Sequence, residues 1–434
     1  MTRTLSIPTP SLVVLVGPSG AGKSTLARRL FAPTEILSSD ALRAMVRDDE
    51  NDMGATNDAF EVLHLVLEKR LAAGRLTVVD ATNVRQGDRA GLVAMAKRHH
   101  VTPVAIVLDV GLDACLRHNA TRQHRGEAST PYVTSQHESL RRAIPEGASD
   151  VAHPLKREGF RVVHVLHDEA EHASVTLTRT KLDVDRRELQ GPFDIIGDVH
   201  GCLDELTQLL ARLGYAPSDG VWSHPSRTAL FLGDLVDRGP ASIGSLKLAQ
   251  AMVERGHALM VPGNHEARLE RALAGKNVKR THGFDLTMAE LESMSGPERR
   301  VTEASLASFL HTLPSHLVLD GGELVVAHAG MKQSLQGRDS GTVKAFAHYG
   351  DTTGETDAYG LPVRLDWARD YTGDAVVVYG HTPVLEAEWV NGTICIDTGC
   401  VFGGRLTALR WPERELVQVP AARRYAEPAR PLSG

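Results

Sequence analysis

The sequence predicts an α/β protein built from two domains. Apolar strands alternate with amphipathic helices over the first 167 residues, and a second series of short apolar strands begins at Phe193, after a charged stretch closed by Gly191-Pro192. A chain of 434 residues, 42% hydrophobic and 24% charged, is long enough for more than one core and has an ordinary globular composition. We expect a first domain at 1–167, a linker at 168–192, a second domain at 193–420 and a loose tail at 421–434.

Composition excludes several classes of protein. No apolar run approaches the roughly 18 residues of a membrane helix, and the N-terminus carries no secretion signal, so we expect a cytoplasmic protein without a membrane partner. The four cysteines form no CxxC pair, which argues against a disulfide framework or a zinc ribbon. The net charge of −6 does not indicate a general nucleic-acid binder, so any nucleic-acid contact should be local.

The elements of the first domain follow one another in the order of a parallel sheet covered by helices on both faces. Continuous apolar runs predict strands at Leu12–Val16, Leu76–Val79 and Val104–Leu108. Apolar residues at helical spacing predict helices at Lys23–Phe31, Asn57–Ala73 and Gln86–His99.

A glycine-rich loop joins the first of these strands to the first helix. Its sequence, GPSGAGKS from Gly17 to Ser24, satisfies the P-loop pattern GxxxxGK[ST] and predicts a P-loop NTPase-type domain that binds ATP or another NTP. Backbone N–H groups would face the phosphates, Lys23 would reach the β- and γ-phosphates, and Ser24 would hold Mg²⁺. The predicted nucleotide-binding residues of the loop are Gly17, Ser19, Gly20, Gly22, Lys23, Ser24 and Thr25.

Two further strand ends carry candidates for the phosphoryl acceptor. Asp40 and Arg43 lie one helical turn apart, so the carboxylate could accept a hydroxyl proton while the guanidinium binds an acceptor phosphate. Asp40 could equally be only a helix N-cap. Asp80 and Asn83, in the sequence DATN, could bind metal, water or acceptor, or could simply form a loop turn.

Arginines further along the chain predict a lid over the ATP phosphates. In LRHNATRQHR, a cationic face is expected from Arg117, Asn119, Arg122 and Arg125, and such donors stabilise the charge of phosphoryl transfer. The alternative is a solvated charged face.

In the second domain, a polar cluster follows almost every strand. The strands are predicted at Phe193–Ile196, Thr228–Leu232, Ala258–Val261, Leu324–Ala327, Ala375–Tyr379 and Thr393–Ile396. The clusters read GDVHG from Gly197, GDLVDRG from Gly233, GNHE from Gly263, AHAG from Ala327 and GHTP from Gly380. Strand ends are where open α/β sheets place their sites, and these oxygen and imidazole ligands suit Mn²⁺, Fe or Zn.

We interpret these clusters as a binuclear metal centre that hydrolyses a phosphoester. One carboxylate, Asp234, would bridge the two cations and relieve their repulsion. Two such metals lower the pKa of a bridging water and clamp a phosphate for in-line attack. Arg238 would bind phosphate oxygens, and His265, oriented by Asp237, would protonate the leaving oxygen.

The series GDxHG, GDxxDRG, GNHE, H and GHTP is similar to that of the calcineurin-like metallophosphoesterases. The resemblance implies an α/β sandwich with two divalent metals, for which we expect Mn²⁺. One metal would be held by Asp198, His200 and Asp234, and the other by Asp234, Asn264, His328 and His381. Asp397 resembles a late active-site acid, although Asp-Thr-Gly can equally form a turn.

Together, the two domains resemble the bacterial polynucleotide kinase-phosphatases of RNA repair, as does the segment Thr281-His282-Gly283-Phe284. The resemblance implies phosphorylation of 5′-OH ends and removal of 3′-terminal or 2′,3′-cyclic phosphates. Asp40 would be the general base, Arg43 would bind the terminal 3′-phosphate, and Arg122 and Arg125 would be lid donors. RNA or DNA ends and a separate RNA ligase would be partners, and a homodimer is left open. The chain has no KxDG-like ligase motif, so sealing is not expected.

Two other interpretations remain. One is a small-molecule kinase fused to a dinucleoside polyphosphate hydrolase or protein phosphatase, since the same phosphatase motifs occur in those enzymes. The other is a regulatory protein that binds ATP and metal without turnover, which would predict decayed ligands. The choice between oligonucleotide ends and small substrates separates the first alternative from end healing.

Overall fold

A computed structural model describes residues 3–121, 130–145 and 154–430. The chain divides into two compact units, residues 1–182 with 338–340 and residues 183–337 with 341–434. Among the described residues, no helix has both the length and the apolar character needed to cross a membrane.

The first unit is a parallel sheet flanked by helices. Its strands are β1 Thr4–Thr9, β2 Ser11–Val16, β3 Ile36–Ser38, β4 Thr77–Asp80, β5 Thr102–Leu108, β6 Val162–Leu166 and β7 Thr176–Lys181. Its helices are α1 Lys23–Leu30, α2 Ser39–Arg47, α3 Thr56–Ala72, α4 Gln86–Arg98, α5 Leu112–Ala120, α6 Thr130–Ala143, α7 Leu155–Glu158 and α8 Glu169–Ser174. The main sheet has the order β3-β4-β2-β5-β6, with all neighbours parallel.

Strand β2 shows why this sheet needs helices on both faces. All of its residues are buried, and its side chains alternate between two cores. Leu12 and Val14 pack with Leu63 of α3, whereas Val13 and Leu15 pack with Leu26 of α1. The predicted fold class of this domain is confirmed.

The segment 168–192, predicted as a linker, contains both a helix and a strand. Strand β7 pairs in parallel with β1, from Thr4 opposite Thr176 to Thr9 opposite Lys181. Most side chains of β7 are exposed, so the strand carries no apolar signature in the sequence. Its threonines nevertheless favour extended structure, because β-branched side chains fit a pleated surface.

The second unit is a two-sheet sandwich. Its strands are β8 Phe193–Ile196, β9 Ala216–Ser218, β10 Val221–Ser223, β11 Thr228–Phe231, β12 Ala258–Met260, β13 His316–Leu319, β14 Leu324–Ala327, β15 Thr352–Thr356, β16 Pro362–Arg364, β17 Val376–Tyr379, β18 Trp389–Val390, β19 Thr393–Cys395, β20 Arg405–Trp411 and β21 Glu415–Pro420. Its helices are α9 Leu203–Leu213, α10 Ser242–Glu254, α11 Asn264–Leu273, α12 Phe284–Ser293, α13 Gly296–Thr312 and α14 Gly341–Tyr349.

The two main sheets have the orders β12-β11-β8-β20-β21 and β13-β14-β17-β19-β18. Residues from both sheets form one core, including Ile195 and Leu230 from the first and Val326 and Val378 from the second. Helices α9, α10, α12 and α13 contribute to a second core that also holds residues of the first sheet, such as Phe231. This arrangement confirms the predicted α/β sandwich and brings the ends of strands from both sheets to one side.

The tail was expected to be loose, and residues 421–430 are instead attached to the second unit. Glu205 accepts hydrogen bonds from the Ala422 N–H at 2.9 Å and from the Tyr425 hydroxyl at 2.8 Å. The N–H groups of Tyr425 and Ala426 donate to the carbonyl oxygen of Val401 at 2.9 and 3.0 Å. Composition alone could not reveal these contacts, because their partners lie far away in sequence.

Candidate metal centre and nucleotide site

The candidate metal ligands lie at the carboxyl ends of parallel strands in both sheets. Asp198 and His200 follow β8, Asp234 follows β11, and Asn264 follows β12. His328 and His381 follow β14 and β17 of the other sheet. The sandwich therefore gathers residues that are up to 183 positions apart, such as Asp198 and His381.

The carboxylate of Asp234 is the centre of this cluster. Its Oδ2 lies 3.6 Å from His200 Nε2, 3.9 Å from His265 Nε2 and 3.3 Å from His328 Nε2. Its Oδ1 accepts a hydrogen bond from the His265 N–H at 3.1 Å. Two groups of atoms that could hold a metal share this carboxylate: Asp234 with His200 and His265, and Asp234 with His328 and His381. Such sharing is the geometry expected of a bridging ligand.

Two of the buried histidines, His200 and His328, direct their Nε2 atoms toward the cluster. His200 Nδ1 and His328 Nδ1 face the carbonyl oxygens of Val236 and Leu232 at 2.8 and 3.0 Å. A carbonyl oxygen can only accept a hydrogen bond, so each Nδ1 carries the proton and each Nε2 presents a lone pair. The Nε2 of His328 lies 2.9 Å from His381 Nδ1 and 3.1 Å from Asn264 Oδ1. The candidate ligand atoms His328 Nε2, His381 Nδ1 and Asn264 Oδ1 therefore lie close together.

The electrostatics of the cluster fit a bound cation. Among the described residues, no hydrogen-bond partner is found for the buried atoms Asp198 Oδ1 and His381 Nε2. Burial raises the pKa of Asp198 well above its usual value, and the carboxylates of Asp397 and Asp234 raise it further. Burial also raises the pKa of Asp397, to about 6. Divalent metals would balance these carboxylates and provide a partner for the unpaired Asp198 oxygen.

Several of these residues have an unusual backbone. Left-handed φ angles of 46°, 49°, 74°, 73° and 72° occur at His200, Asp234, Asp237, Arg238 and His381. Residues with a Cβ avoid this region, and clusters of such residues are typical of functional sites whose surroundings enforce the geometry. Gly263 is required for another reason, because a Cβ there would lie 2.1 Å from Asp234 Oδ1.

Glu266 is a buried residue that holds the loop of Asp234 in place, a role that its motif did not predict. Its carboxylate accepts hydrogen bonds from the N–H groups of Gly263 at 2.9 Å, Asp234 at 2.6 Å, Leu235 at 2.8 Å and Val236 at 3.3 Å. It therefore caps helix α11 and holds the loop that carries Asp234. The sequence signal was the glutamate at the third helical position, as in a capping box.

Replacing Glu266 with alanine should destabilise the second unit by at least about 3 kcal/mol, because several buried N–H groups would lose their acceptor. Urea unfolding followed by tryptophan fluorescence measures this effect, since Trp222, Trp367, Trp389 and Trp411 all belong to the second unit. The exposed Glu388 gives a matched control, Glu388→Ala. Equal stability of the two variants would contradict the assignment.

Asp237 and His265 form the predicted pair. His265 Nδ1 is hydrogen-bonded to Asp237 Oδ2, and the other carboxylate oxygen accepts from the Thr287 hydroxyl at 2.5 Å. The Asp237 N–H faces Ser242 Oγ at 2.9 Å and Thr287 Oγ1 at 3.1 Å. Asp237 is therefore fixed in place, and His265 Nε2 is left to face the cluster. Sequence reasoning missed Thr287, because its helix is distant in sequence and has no motif.

Arg238 lies between the cluster and the segment 281–284. Its guanidinium contacts His200 Nε2 and lies 5.3 Å from the centre of the Phe402 ring. The Thr281 carbonyl accepts from Arg268 at 2.7 Å, and His282 lines the same cavity as Arg238. The segment 281–284 thus contributes His282 to the lining of the site.

A cavity of about 270 Å³ opens over the candidate metal ligands. Asp234, Asn264, His265 and His381 line its inner part. Four arginines also line it: Arg238, Arg268, Arg364 and Arg430. A positively charged cavity next to clustered metal ligands suits an anionic phosphate substrate.

In the first unit, the P-loop has the predicted place between β2 and α1. Gly20 has φ 84° and approaches Cys115 so closely that a Cβ would lie 2.1 Å from the Cys115 carbonyl oxygen. Lys23 Nζ donates to the carbonyl oxygens of Gly17 and Pro18 at 2.9 and 2.8 Å. Ser19 N–H donates to Gln136 Oε1 at 2.8 Å, so helix α6 contacts the loop.

The structure brings the acceptor candidates to this loop. A cavity of about 110 Å³ is lined by Lys23, Ser24, Asp40, Arg43 and Asp80 among others. Asp40 forms an ion pair with Arg43, as their spacing predicted. Asp40 is not the N-cap of helix α2, because Ser38 occupies that position and accepts from the Ala41 N–H at 3.5 Å.

The neighbouring cavity has a negative rim. It measures about 890 Å³ and reaches from Ser24, Asp40 and Asp80 outward to the acidic residues Asp48, Asp49 and Glu50. Arg28 also lines it. Such a rim is unfavourable for a polyanionic strand and tolerates a neutral or cationic acceptor.

The buried amide nitrogen of Asn83 donates to the carbonyl oxygens of Leu15 at 2.8 Å and Ala81 at 3.2 Å, and its role in substrate binding stays a prediction. Asn83 is not among the described residues that line either cavity. Arg122 and Arg125 lie outside the described residues, and Arg117 lies 3.7 Å from Glu169 on the surface.

The sandwich and its strand-end ligands define a metal-dependent phosphoester hydrolase attached to a P-loop domain. Residues 12–146 match the AAA domain family, and residues 191–385 match the calcineurin-like phosphoesterases. The chain belongs to the calcineurin-like phosphoesterase family through its second unit.

Several curated relatives share the name bis(5′-nucleosyl)-tetraphosphatase PrpE (asymmetrical). The chain is 46% identical to the one from Anoxybacillus flavithermus over 242 residues, which are 55% of this chain and 99% of the relative. It is 48% identical to the one from Bacillus subtilis over 236 residues, 54% of this chain and 97% of the relative. A solved metallophosphoesterase from Sphaerobacter thermophilus is 15% identical, covers 54% of this chain and 89% of its own, and has a TM-score of 0.31.

Proposed function

We propose that the second unit hydrolyses the phosphate chain of dinucleoside polyphosphates and that the first unit is an NTP-dependent kinase of a small hydroxyl compound. The observation that carries the first part is the identity of 46% and 48% to two tetraphosphatases over 99% and 97% of their length. The arginine-lined cavity over the cluster supports it, because a phosphate chain presents several negative charges in a row.

In this proposal, the metal ligands are those expected from the sequence. One divalent metal is held by Asp198, His200 and Asp234, and the second by Asp234, Asn264, His328 and His381. Bound divalent metals such as Mn²⁺ supply a water of lowered pKa and polarise the phosphate. Arg238 binds the phosphate oxygens. His265, held by Asp237 through Nδ1, delivers a proton from Nε2 to the leaving phosphate oxygen.

For the first unit, we assign nucleotide binding to the P-loop. Lys23 reaches the transferred phosphate, and Ser24 and Asp80 hold Mg²⁺. Asp40 accepts the proton of the attacking hydroxyl, and Arg43 orients both the carboxylate and the acceptor. The acidic rim formed by Asp48, Asp49 and Glu50 favours a small acceptor without negative charge.

The second candidate function is the healing of RNA or DNA ends. It is supported by the single cavity that joins Lys23 and Ser24 to Asp40 and Arg43, the pattern that resembles polynucleotide kinases. The acidic rim weighs against it, because the phosphates of a nucleic-acid strand would be repelled there. We therefore rank it second.

One substrate comparison tests the order of these candidates. The protein is incubated with Mn²⁺ and either bis(5′-adenosyl) tetraphosphate or an oligoribonucleotide with a 5′-OH and a 3′-phosphate. Asymmetric hydrolysis of the tetraphosphate should yield equal amounts of ATP and AMP, whereas the oligonucleotide should keep its 3′-phosphate. Release of the 3′-phosphate with an intact tetraphosphate would reverse the order.

A further inference from the structure

We propose that Arg364 and Arg430 form a second phosphate-binding subsite, which contacts the substrate's phosphate chain beyond the phosphate that is attacked. The inference rests on the proposed function of the second unit. It makes these two residues determinants of specificity that favour long phosphate chains over simple phosphate monoesters. Neither residue belongs to a motif of the sequence analysis.

Arg364 is held in place at the edge of the cavity. It is the last residue of β16, in a hairpin with β15, and its Nη1 donates to the Tyr349 carbonyl oxygen at 2.7 Å. Its side chain is half-buried and lines the cavity that contains Asp234 and His381.

Arg430 reaches the same cavity from the C-terminal segment. The contacts of Tyr425 and Ala426 with Val401 direct the chain toward the site, and Pro428, Ala429 and Arg430 then line the cavity. The Arg430 side chain is 40% exposed, and its Nη1 lies 3.9 Å from Asp357 Oδ2 in the hairpin loop. This distance leaves most of its hydrogen-bonding capacity for an anion.

The charges of the two residues point to an anionic ligand. Burial lowers the pKa of Arg364, and the positive charge of Arg430 lowers it further, so the two guanidinium groups repel each other. Asp357 lies 3.9 Å from Arg430, and the Asp234 carboxylate raises the pKa of Arg364 by less than Arg430 lowers it. A phosphate placed between the two guanidinium groups would relieve the repulsion and accept paired hydrogen bonds. Arg238 and Arg268 line the same cavity, so the chain could be contacted along its length.

Kinetics of two substrates test the inference. In Arg364→Ala and Arg430→Ala, the KM for bis(5′-adenosyl) tetraphosphate should rise about tenfold, since each loses charge-assisted hydrogen bonds. The kcat for this substrate and both constants for p-nitrophenyl phosphate should change little. Arg364→Lys should recover part of the loss. The control is Arg369→Ala, whose side chain is 80% exposed and pairs with Asp366.

The outcomes separate this inference from the proposed function. If the wild type does not hydrolyse the tetraphosphate, the proposed function fails, and inhibition of p-nitrophenyl phosphate hydrolysis by inorganic tripolyphosphate then tests the subsite alone. The inhibition constant should be about tenfold higher in both variants than in the wild type, because tripolyphosphate binds them more weakly. Equal inhibition, or an equal loss on both substrates as expected of a purely structural hairpin contact, would overturn the inference. Unchanged melting temperatures would show that the variants are folded.

Discussion

Asp234→Asn is expected to reduce phosphoester hydrolysis by at least about 1,000-fold, the loss that corresponds to several kcal/mol of transition-state stabilisation. The reason is that Asp234 is shared by both groups of metal-ligating atoms and lies within 3.9 Å of three histidine ring nitrogens. An amide has no charge to hold two cations. The measurement is hydrolysis of p-nitrophenyl phosphate, together with the bound metal per chain.

Asp366→Asn is the matched control, since its side chain is 59% exposed and pairs only with Arg369 among the described contacts. Treatment of the wild type with EDTA should reproduce the loss, and added Mn²⁺ should reverse it. Full metal content together with full activity in Asp234→Asn would show that Asp234 is not a ligand shared by both metals.

Lys23→Ala should lower phosphoryl transfer by about 100-fold, because the charge-assisted contacts of one ammonium group with the phosphates would be lost. Lys23 Nζ already lies against the loop carbonyls of Gly17 and Pro18, at the edge of the cavity that contains Asp40. The assay is transfer of label from γ-labelled ATP to a panel of hydroxyl compounds that includes a 5′-OH oligonucleotide.

Two further readouts make this experiment specific. Phosphoester hydrolysis by the second unit should be unchanged in Lys23→Ala, since the residue belongs to the first unit. Lys156→Ala, at an exposed position in α7, should behave like the wild type in both assays. Undiminished transfer in Lys23→Ala would show that the P-loop does not bind the reacting nucleotide.

The nine strands predicted from the sequence could be located because they are continuous apolar runs, although others, such as the buried β13, were not predicted. The predicted Leu12–Val16 and Phe193–Ile196 agree with the observed β2 and β8 to within one residue. The predictions failed where burial gives no periodic signal. Strand β7 is largely exposed, and the tail at 421–430 is attached by distant hydrogen bonds rather than by a core of its own.

The functional site also contains residues that the sequence identified and residues that it did not. Residue types such as Asp234 and His328 were found because they follow apolar strands in motifs that suit metals. Asn83 also follows a strand, and its amide nitrogen donates to two backbone carbonyls, which the sequence did not predict. Thr287 and Arg430 carried no motif, so only their contacts with Asp237 and the cavity identify them.

The sequence by itself determined the two domain types, the P-loop and the kinds of residue that collect at strand ends. These features depend on local apolar patterns and short motifs, which can be recognised within a few consecutive residues. The sequence also predicted that Asp234 is common to two ligand groups, but only the tertiary structure decided that Glu266 holds its loop and that Arg364 and Arg430 share its cavity. These relations join residues up to about 200 positions apart, and they arise because packing of the two sheets brings distant strand ends and loops together.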